Sequence, residues 1–147
     1  MEIEGEVEPR AVAVPGWYWL VAGLCLLFEL AGCYAYIMQV TTDPATLPVD
    51  QRVLVEAMPI WTIAAYALAV WVGLAGAVGL LLKKRFARPA LFVSMIFVIV
   101  QFGGMLLIPD IRGAMSSSQL LGPILIFLLS YGYWQFSKVA WIRGWLS

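Results

Sequence analysis

Residues 59–82 read PIWTIAAYALAVWVGLAGAVGLLL and carry no charged side chain. An α-helix rises 1.5 Å per residue, so about 20 apolar residues are enough to cross the hydrocarbon layer of a bilayer. The stretch is therefore predicted to be a transmembrane helix. Its length and its lack of charge are the standard for finding further spans in the chain.

Three other stretches meet the same standard, at about residues 17–40, 89–108 and 120–137. Of the 147 residues, 63% are hydrophobic and 12% are charged, about half the charged fraction of a typical soluble domain. The four spans leave little chain for a soluble domain. The sequence therefore predicts an all-α bundle of four transmembrane helices, with residues 1–147 forming a single integral membrane domain.

The basic residues predict how the bundle is oriented. Two of the nine, Arg52 and Arg112, fall on one side of a four-span protein. The other seven fall on the opposite side, and they are Arg10, Lys83, Lys84, Arg85, Arg88, Lys138 and Arg143. Since cytoplasmic loops carry the excess of Lys and Arg, both termini are predicted to be cytoplasmic. The aromatic, basic tail at 139–146 is expected to lie in the same membrane interface.

Several kinds of chemistry have no support in the composition. The chain has no histidine, the commonest metal ligand and general acid–base group, and its formal net charge is zero. No motif for a metal, a phosphate or a nucleophilic triad is present, and nothing favours nucleic acid as a partner. We expect no metal site, no cofactor and no enzymatic activity.

Glu29 is the most informative single residue, since it lies near the middle of the first span. An acidic side chain there costs about 2.5–3.5 kcal/mol on insertion scales and is by default a functional hypothesis. No Lys or Arg lies in any span to pair with it, which favours the neutral acid. Counting in from the span ends places Gln101 and Ser130 at a similar depth, so the three are predicted to form a hydrogen-bonded polar layer.

Three interpretations of this layer stay open. Glu29 could be a neutral acid that fixes helix pairing through hydrogen bonds. It could instead be the centre of a proton- or cation-coupled site, or it could face the helix of a partner protein.

Small residues predict where the helices pack most closely. In lipid, helices associate through side chains small enough to let their backbones approach. The second span carries a row at intervals of four, with a further glycine beside it: Ala65, Ala69, Gly73, Ala77 and Gly76. Glu29 is expected to face the bundle, because its stripe on the first span also carries small residues.

The segments PGWYWLVAGL (15–24), YIMQVT (36–41), EAMPIW (56–61), ALAVWVGLAG (67–76) and LLLKKR (80–85) resemble a small bacterial membrane family. Its members are uncharacterised four-span proteins, some of them labelled "sugar transporter". The resemblance covers about residues 15–108 and implies a multi-pass protein of the bacterial inner membrane. It brings no functional residues with it, and the spans hold few of the polar groups that a sugar site needs.

A shorter segment, LFELAG (27–32), is similar to the first helix of small multidrug resistance transporters. In that family a membrane-embedded glutamate binds protons and cations in turn. The resemblance implies such a role for Glu29, although the rest of this chain lacks that family's helix signatures.

Two functions follow as expectations. The first is an accessory or assembly subunit of a membrane complex, which acts by helix packing and predicts a filled bundle. The alternative is a small proton-coupled transporter that uses Glu29 and predicts a pocket reaching it. Four helices leave little room for a substrate path, so a transporter of this size is expected to be a homo-oligomer.

Overall fold

The computed structural model describes residues 12–147; Arg10, which contributed to the predicted orientation, lies outside them. Within that range the chain is helical and contains no strand. The α-helices are α1 (Gly16–Thr41), α2 (Val49–Ala57), α3 (Ile60–Leu81), α4 (Ala87–Leu107), α5 (Pro109–Ala114) and α6 (Leu121–Ile142). Short 3-10 turns at 44–46 and 117–120 precede α2 and α6.

Four of these helices, α1, α3, α4 and α6, are long and apolar enough to cross a membrane. The predicted all-α, four-span bundle is thus confirmed. Helix α6 ends at Ile142, five residues beyond the predicted end at Ser137. The two polar residues there do not end the helix, because Ser137 is buried in the bundle and the Lys138 ammonium group lies over the Trp134 ring. Helix α2 begins at Val49, directly after Pro48, with Asp50 in its first turn.

The long helices form an open ring in which α3 packs against α1 and α4, and α4 also packs against α6. Within residues 12–147, the backbones of α1 and α6 do not come together in the same way. The two ends of the bundle are formed by different segments. The cationic end holds the 82–86 loop and the chain from Arg143 to Ser147. The capped end holds α2 and α5, which pack against each other.

Glycines of α3 and α4 allow these two helices to pack closely. A Cβ on Gly76 would lie 2.8 Å from Cγ of Leu91, and one on Gly79 would lie 2.8 Å from the Phe86 ring. At the capped end Gly104 of α4 leaves room for the Trp61 ring. The side chain of Ser94 adds a hydrogen bond to the Ala69 carbonyl oxygen at 2.7 Å. Small residues therefore let the two backbones approach closely along most of their length.

The tail folds back and closes the cationic end of the bundle. Gly144, with φ of 71°, ends α6, and the Trp145 amide then donates to the Ala140 carbonyl at 2.9 Å. This left-handed helix ending turns the chain back, and Trp145 and Leu146 are buried in the core. The Ser147 amide donates to the Lys83 carbonyl at 2.6 Å. The aromatic, basic composition of the tail predicts a position in the membrane interface but carries no signal for this reversal.

We predict that Gly76→Val destabilises the bundle by about 1–3 kcal/mol, because the new side chain must displace Leu91. The matched control is Gly103→Val in α4, since a Cβ at Gly103 meets nothing within 4 Å. Unfolding followed by circular dichroism during SDS titration in detergent micelles measures both variants. Equal loss of stability in the two would contradict the packing described here.

Candidate functional site

Glu29 points into the bundle, with a side chain that is 5% exposed. It lies halfway along α1, twelve to thirteen residues from either end of that helix. Its carboxyl group rests against Gly73 of α3, where a Cβ atom would overlap both carboxyl oxygens. Gly73 is thus the position on α3 that makes room for the acid.

Two hydrogen bonds hold α1 to α3 on either side of this contact. Towards the capped end, the Cys33 thiol donates to the Val70 carbonyl oxygen at 3.5 Å. At the cationic end, the hydroxyl of the buried Tyr18 donates to the Leu80 carbonyl oxygen at 2.5 Å. The depth of Glu29 relative to α3 is therefore fixed from both directions.

A cavity of about 430 Å³ adjoins the Glu29 carboxyl and extends towards the capped end. That volume falls in the range of pockets that bind small molecules. All four long helices contribute to its walls. The lining residues are Phe28, Glu29, Ala31, Gly32, Ala35 and Gln39 of α1, Tyr66, Ala69 and Val70 of α3, Ser94, Val98, Gln101, Phe102 and Met105 of α4, and Gly122, Pro123, Ile126 and Ser130 of α6.

The cavity brings Glu29, Gln101 and Ser130 to one space, and each is at most 6% exposed. No side-chain hydrogen bond found among residues 12–147 joins them to one another. Fully enclosed side-chain N and O atoms in that range all have hydrogen-bond partners. The polar atoms of these three residues therefore border the cavity instead of closing on each other.

The three residues also do not share one depth. Glu29 is level with Gly73, whereas Ser94 is level with Ala69, one turn nearer the capped end. Gln101 lies two further turns along α4, so it stands roughly 15 Å from Glu29 along the bundle axis. The predicted layer is thus a line of polar groups along the cavity. Glu29 and Gln101 lie 13 and 14 residues from the cationic ends of their helices, so the difference in depth comes from an offset of α4 against α1 along the bundle axis.

Ser94 is a cavity residue that the sequence reasoning missed. It is 3% exposed, and its hydroxyl donates to the Ala69 carbonyl, so its polar atom is held at the wall. The available signal was its spacing, since Ser94 and Gln101 are seven residues apart and share a helix face. Tyr66 and Gln39 also line the cavity, although the sequence indicates only that each belongs to a transmembrane span.

The predicted small-residue row of α3 lies in the interior, where Ala65, Ala69, Gly73, Gly76 and Ala77 are all buried. The residues of this row make room for different neighbouring groups. Gly73 accommodates Glu29 of α1, Gly76 accommodates Leu91 of α4, and Ala69 lines the cavity. One row of small residues therefore both packs the helices and shapes the site.

Charge and metal-binding groups are sparse around the cavity. Glu29 is the one acidic residue among its lining residues, and none of them is basic. Within residues 12–147, no group of three or more Cys, Asp or Glu side chains is placed to hold a metal ion. The arrangement can therefore bind a proton, a cation or a hydrogen-bonding group at Glu29, within walls that are otherwise uncharged.

Comparisons with protein-family models, with curated proteins and with solved structures found no match to this chain.

We predict that Glu29 and Gly73 are energetically coupled. In Gly73→Ala the new methyl group must push the Glu29 carboxyl away, whereas in a Glu29→Ala background the obstacle is gone. A double-mutant cycle should give a coupling energy of about 1 kcal/mol. Stability is again measured by SDS titration.

Gly103→Ala, combined with Glu29→Ala, is the matched control for this cycle, because that position has open space around it. Its effect should be the same in both backgrounds. Additive effects for Gly73→Ala and Glu29→Ala would show that the carboxyl does not rest on Gly73.

Proposed function

We propose that this chain is a small proton-coupled membrane transporter in which Glu29 binds the proton and contacts the ligand. The observation that carries the proposal is the cavity that reaches Glu29 halfway across the bundle. A buried acid without a basic neighbour in the cavity can change its charge when it binds a proton or a ligand group. Because proton binding and ligand binding both involve this one carboxyl, each can change the affinity for the other.

The walls support binding as the role of this site, in place of catalysis. Besides Glu29, the cavity offers an amide at Gln101 and hydroxyls at Ser130 and Tyr66, and the other lining groups are mainly apolar. A pocket that is mostly apolar with a few placed polar groups is typical of ligand recognition. We propose that the chain works without catalytic chemistry or a bound cofactor, in a bacterial inner membrane with both termini cytoplasmic.

An accessory or assembly role is the second candidate, and one observation favours it. Helices α1 and α6 leave a gap on one side of the ring, where a helix of a partner could pack. That role, however, predicted a filled bundle, and the cavity at Glu29 speaks against it. We therefore rank the transporter first.

We predict that Glu29→Gln abolishes proton movement by the reconstituted protein. Proteoliposomes loaded with a pH-sensitive dye are exposed to 1-dodecanol, dodecylamine or a dodecyl quaternary ammonium, and dye fluorescence is followed. At least one compound should move protons with the unaltered protein. The variant should give the rate of protein-free liposomes, because an amide of the same shape cannot release a proton.

Glu56→Gln is the matched control, because Glu56 is an exposed glutamate of α2 outside the cavity. It should leave the rates unchanged. Proton movement in Glu29→Gln at the rate of the unaltered protein would remove Glu29 from the mechanism. No proton movement with any of the three compounds would count against the transporter proposal.

We also predict that the protein in mild detergent or native nanodiscs is a homodimer or a larger homo-oligomer. Four helices enclose one small cavity, so a complete path across the membrane requires a second copy. Native mass spectrometry measures the mass of the intact complex. A fixed ratio with a larger, unrelated membrane protein would instead support the accessory role.

A further inference from the structure

Glu29 and Gln101 present buried polar groups to the cavity with no side-chain partner found within residues 12–147. Each is 95% buried, and each borders the cavity. Burying a polar group without a hydrogen bond costs free energy, so these groups favour a ligand that offers hydrogen-bonding atoms. The ligand therefore needs at least one polar head that reaches Glu29.

The cavity opens sideways, through a seam between α1 and α6. Ala31 and Ala35 of α1 and Gly122 of α6 line the cavity and are nevertheless exposed. On the opposite wall, Ala69 of α3 and Val98 of α4 are buried. Because α1 and α6 are the neighbours that are not closely packed, the exposed lining residues mark an opening on that side.

Aromatic side chains close the seam towards the cationic end. The rings of Phe28 and Tyr133 lie 5.6 Å apart, centre to centre, and those of Tyr18 and Phe136 lie 5.4 Å apart. The open part of the seam therefore runs from the level of Glu29 to the capped end. Both α1 and α6 are spanning helices, so this opening faces the hydrocarbon of the bilayer and not water.

A ligand that enters there must carry its polar head through hydrocarbon. In the same apolar medium, an ionised head costs far more to bury than an uncharged hydroxyl or carbonyl. The space for an apolar body is present. Phe102, Met105 and Pro123 separate the main cavity from a second, apolar one of about 170 Å³.

We propose that the cavity binds an uncharged, oxygen-bearing amphipath, such as a long-chain alcohol or a lipid quinone, that enters from the bilayer through the seam. Its head hydrogen-bonds to Glu29, with the Ser130 hydroxyl in the same cavity, and its mainly apolar body extends towards the capped end, past the Gln101 amide. That the ligand is transported rests on the proposed function. The entry route of the ligand and its chemical class rest on the seam itself.

Photolabelling in nanodiscs tests this inference, with a diazirine-bearing hexadecanol as the probe and peptide mass spectrometry as the readout. Labels should fall on cavity-lining residues of α1 and α6. Unlabelled 1-hexadecanol should displace the probe, and hexadecyltrimethylammonium should compete at least about tenfold less well, the factor that corresponds to 1.4 kcal/mol.

Variants that fill the seam identify the route. Ala35→Phe and Gly122→Phe should each reduce cavity labelling about fivefold or more, which corresponds to about 1 kcal/mol. A Cβ atom at Gly122 would meet nothing within 4 Å, so a side chain can start from this position without displacing a neighbour and we expect the second variant to fold. Ala64→Phe is the matched control, because Ala64 is an exposed alanine of α3 outside the cavity, and it should leave labelling unchanged.

Three results would overturn the inference: no cavity labelling, unchanged labelling in both seam variants, or stronger competition by the quaternary ammonium than by the alcohol. Failure of the proposed function gives a different pattern. Glu29→Gln keeps hydrogen-bonding groups at the site, so labelling should persist in that variant. Displaceable labelling without any proton movement would retain the ligand site and reject the transporter.

Discussion

The contact between the Glu29 carboxyl and the bare backbone of Gly73 is the constraint on which the rest of the bundle depends. An acid in mid-membrane must face the protein interior, because exposure to hydrocarbon is far more costly. Facing inwards, it needs space on the neighbouring helix, and Gly73 supplies it by having no side chain. Tyr18 and Cys33 then hold α1 at this depth through hydrogen bonds to carbonyls of α3. The depth of α1 in turn sets where the cavity begins.

From that contact the bundle differs strongly between its two ends. At the cationic end, aromatic rings of α1, α6 and the tail interlock, with Trp17 and Trp145 at 5.5 Å and Tyr18 and Trp145 at 5.7 Å. Towards the capped end, the cavity-lining residues of the two helices are smaller than these rings: Ala31, Gly32 and Ala35 of α1, and Gly122, Pro123, Ile126 and Ser130 of α6. Large rings fill the interior, whereas smaller side chains leave part of it empty. The cavity therefore extends from Glu29 towards the capped end only.

The sequence was sufficient for the spans, for the inward direction of Glu29 and for the closely packed face of α3. Each of these depends on hydrophobic length or on helical periodicity, which are local properties. The depth of Gln101 relative to Glu29 was not predictable in the same way. It depends on how far helices of unequal length slide past each other, and that is decided by contacts such as Gly76 with Leu91. The reversal of the tail after Gly144 also depends on tertiary contacts, with Tyr18 and Lys83.

A polar group at the end of a mostly apolar cavity has an energetic consequence for the whole bundle. The folded state includes the cost of burying the Glu29 carboxyl, and any group that hydrogen-bonds to it offsets part of that cost. A ligand that binds only the folded bundle therefore stabilises it, by an amount that grows with the logarithm of ligand concentration above its Kd. The acid is also the contact between α1 and α3, so the proposed ligand would act on the pairing of these helices through the same side chain. Under that proposal, Glu29 serves both packing and binding.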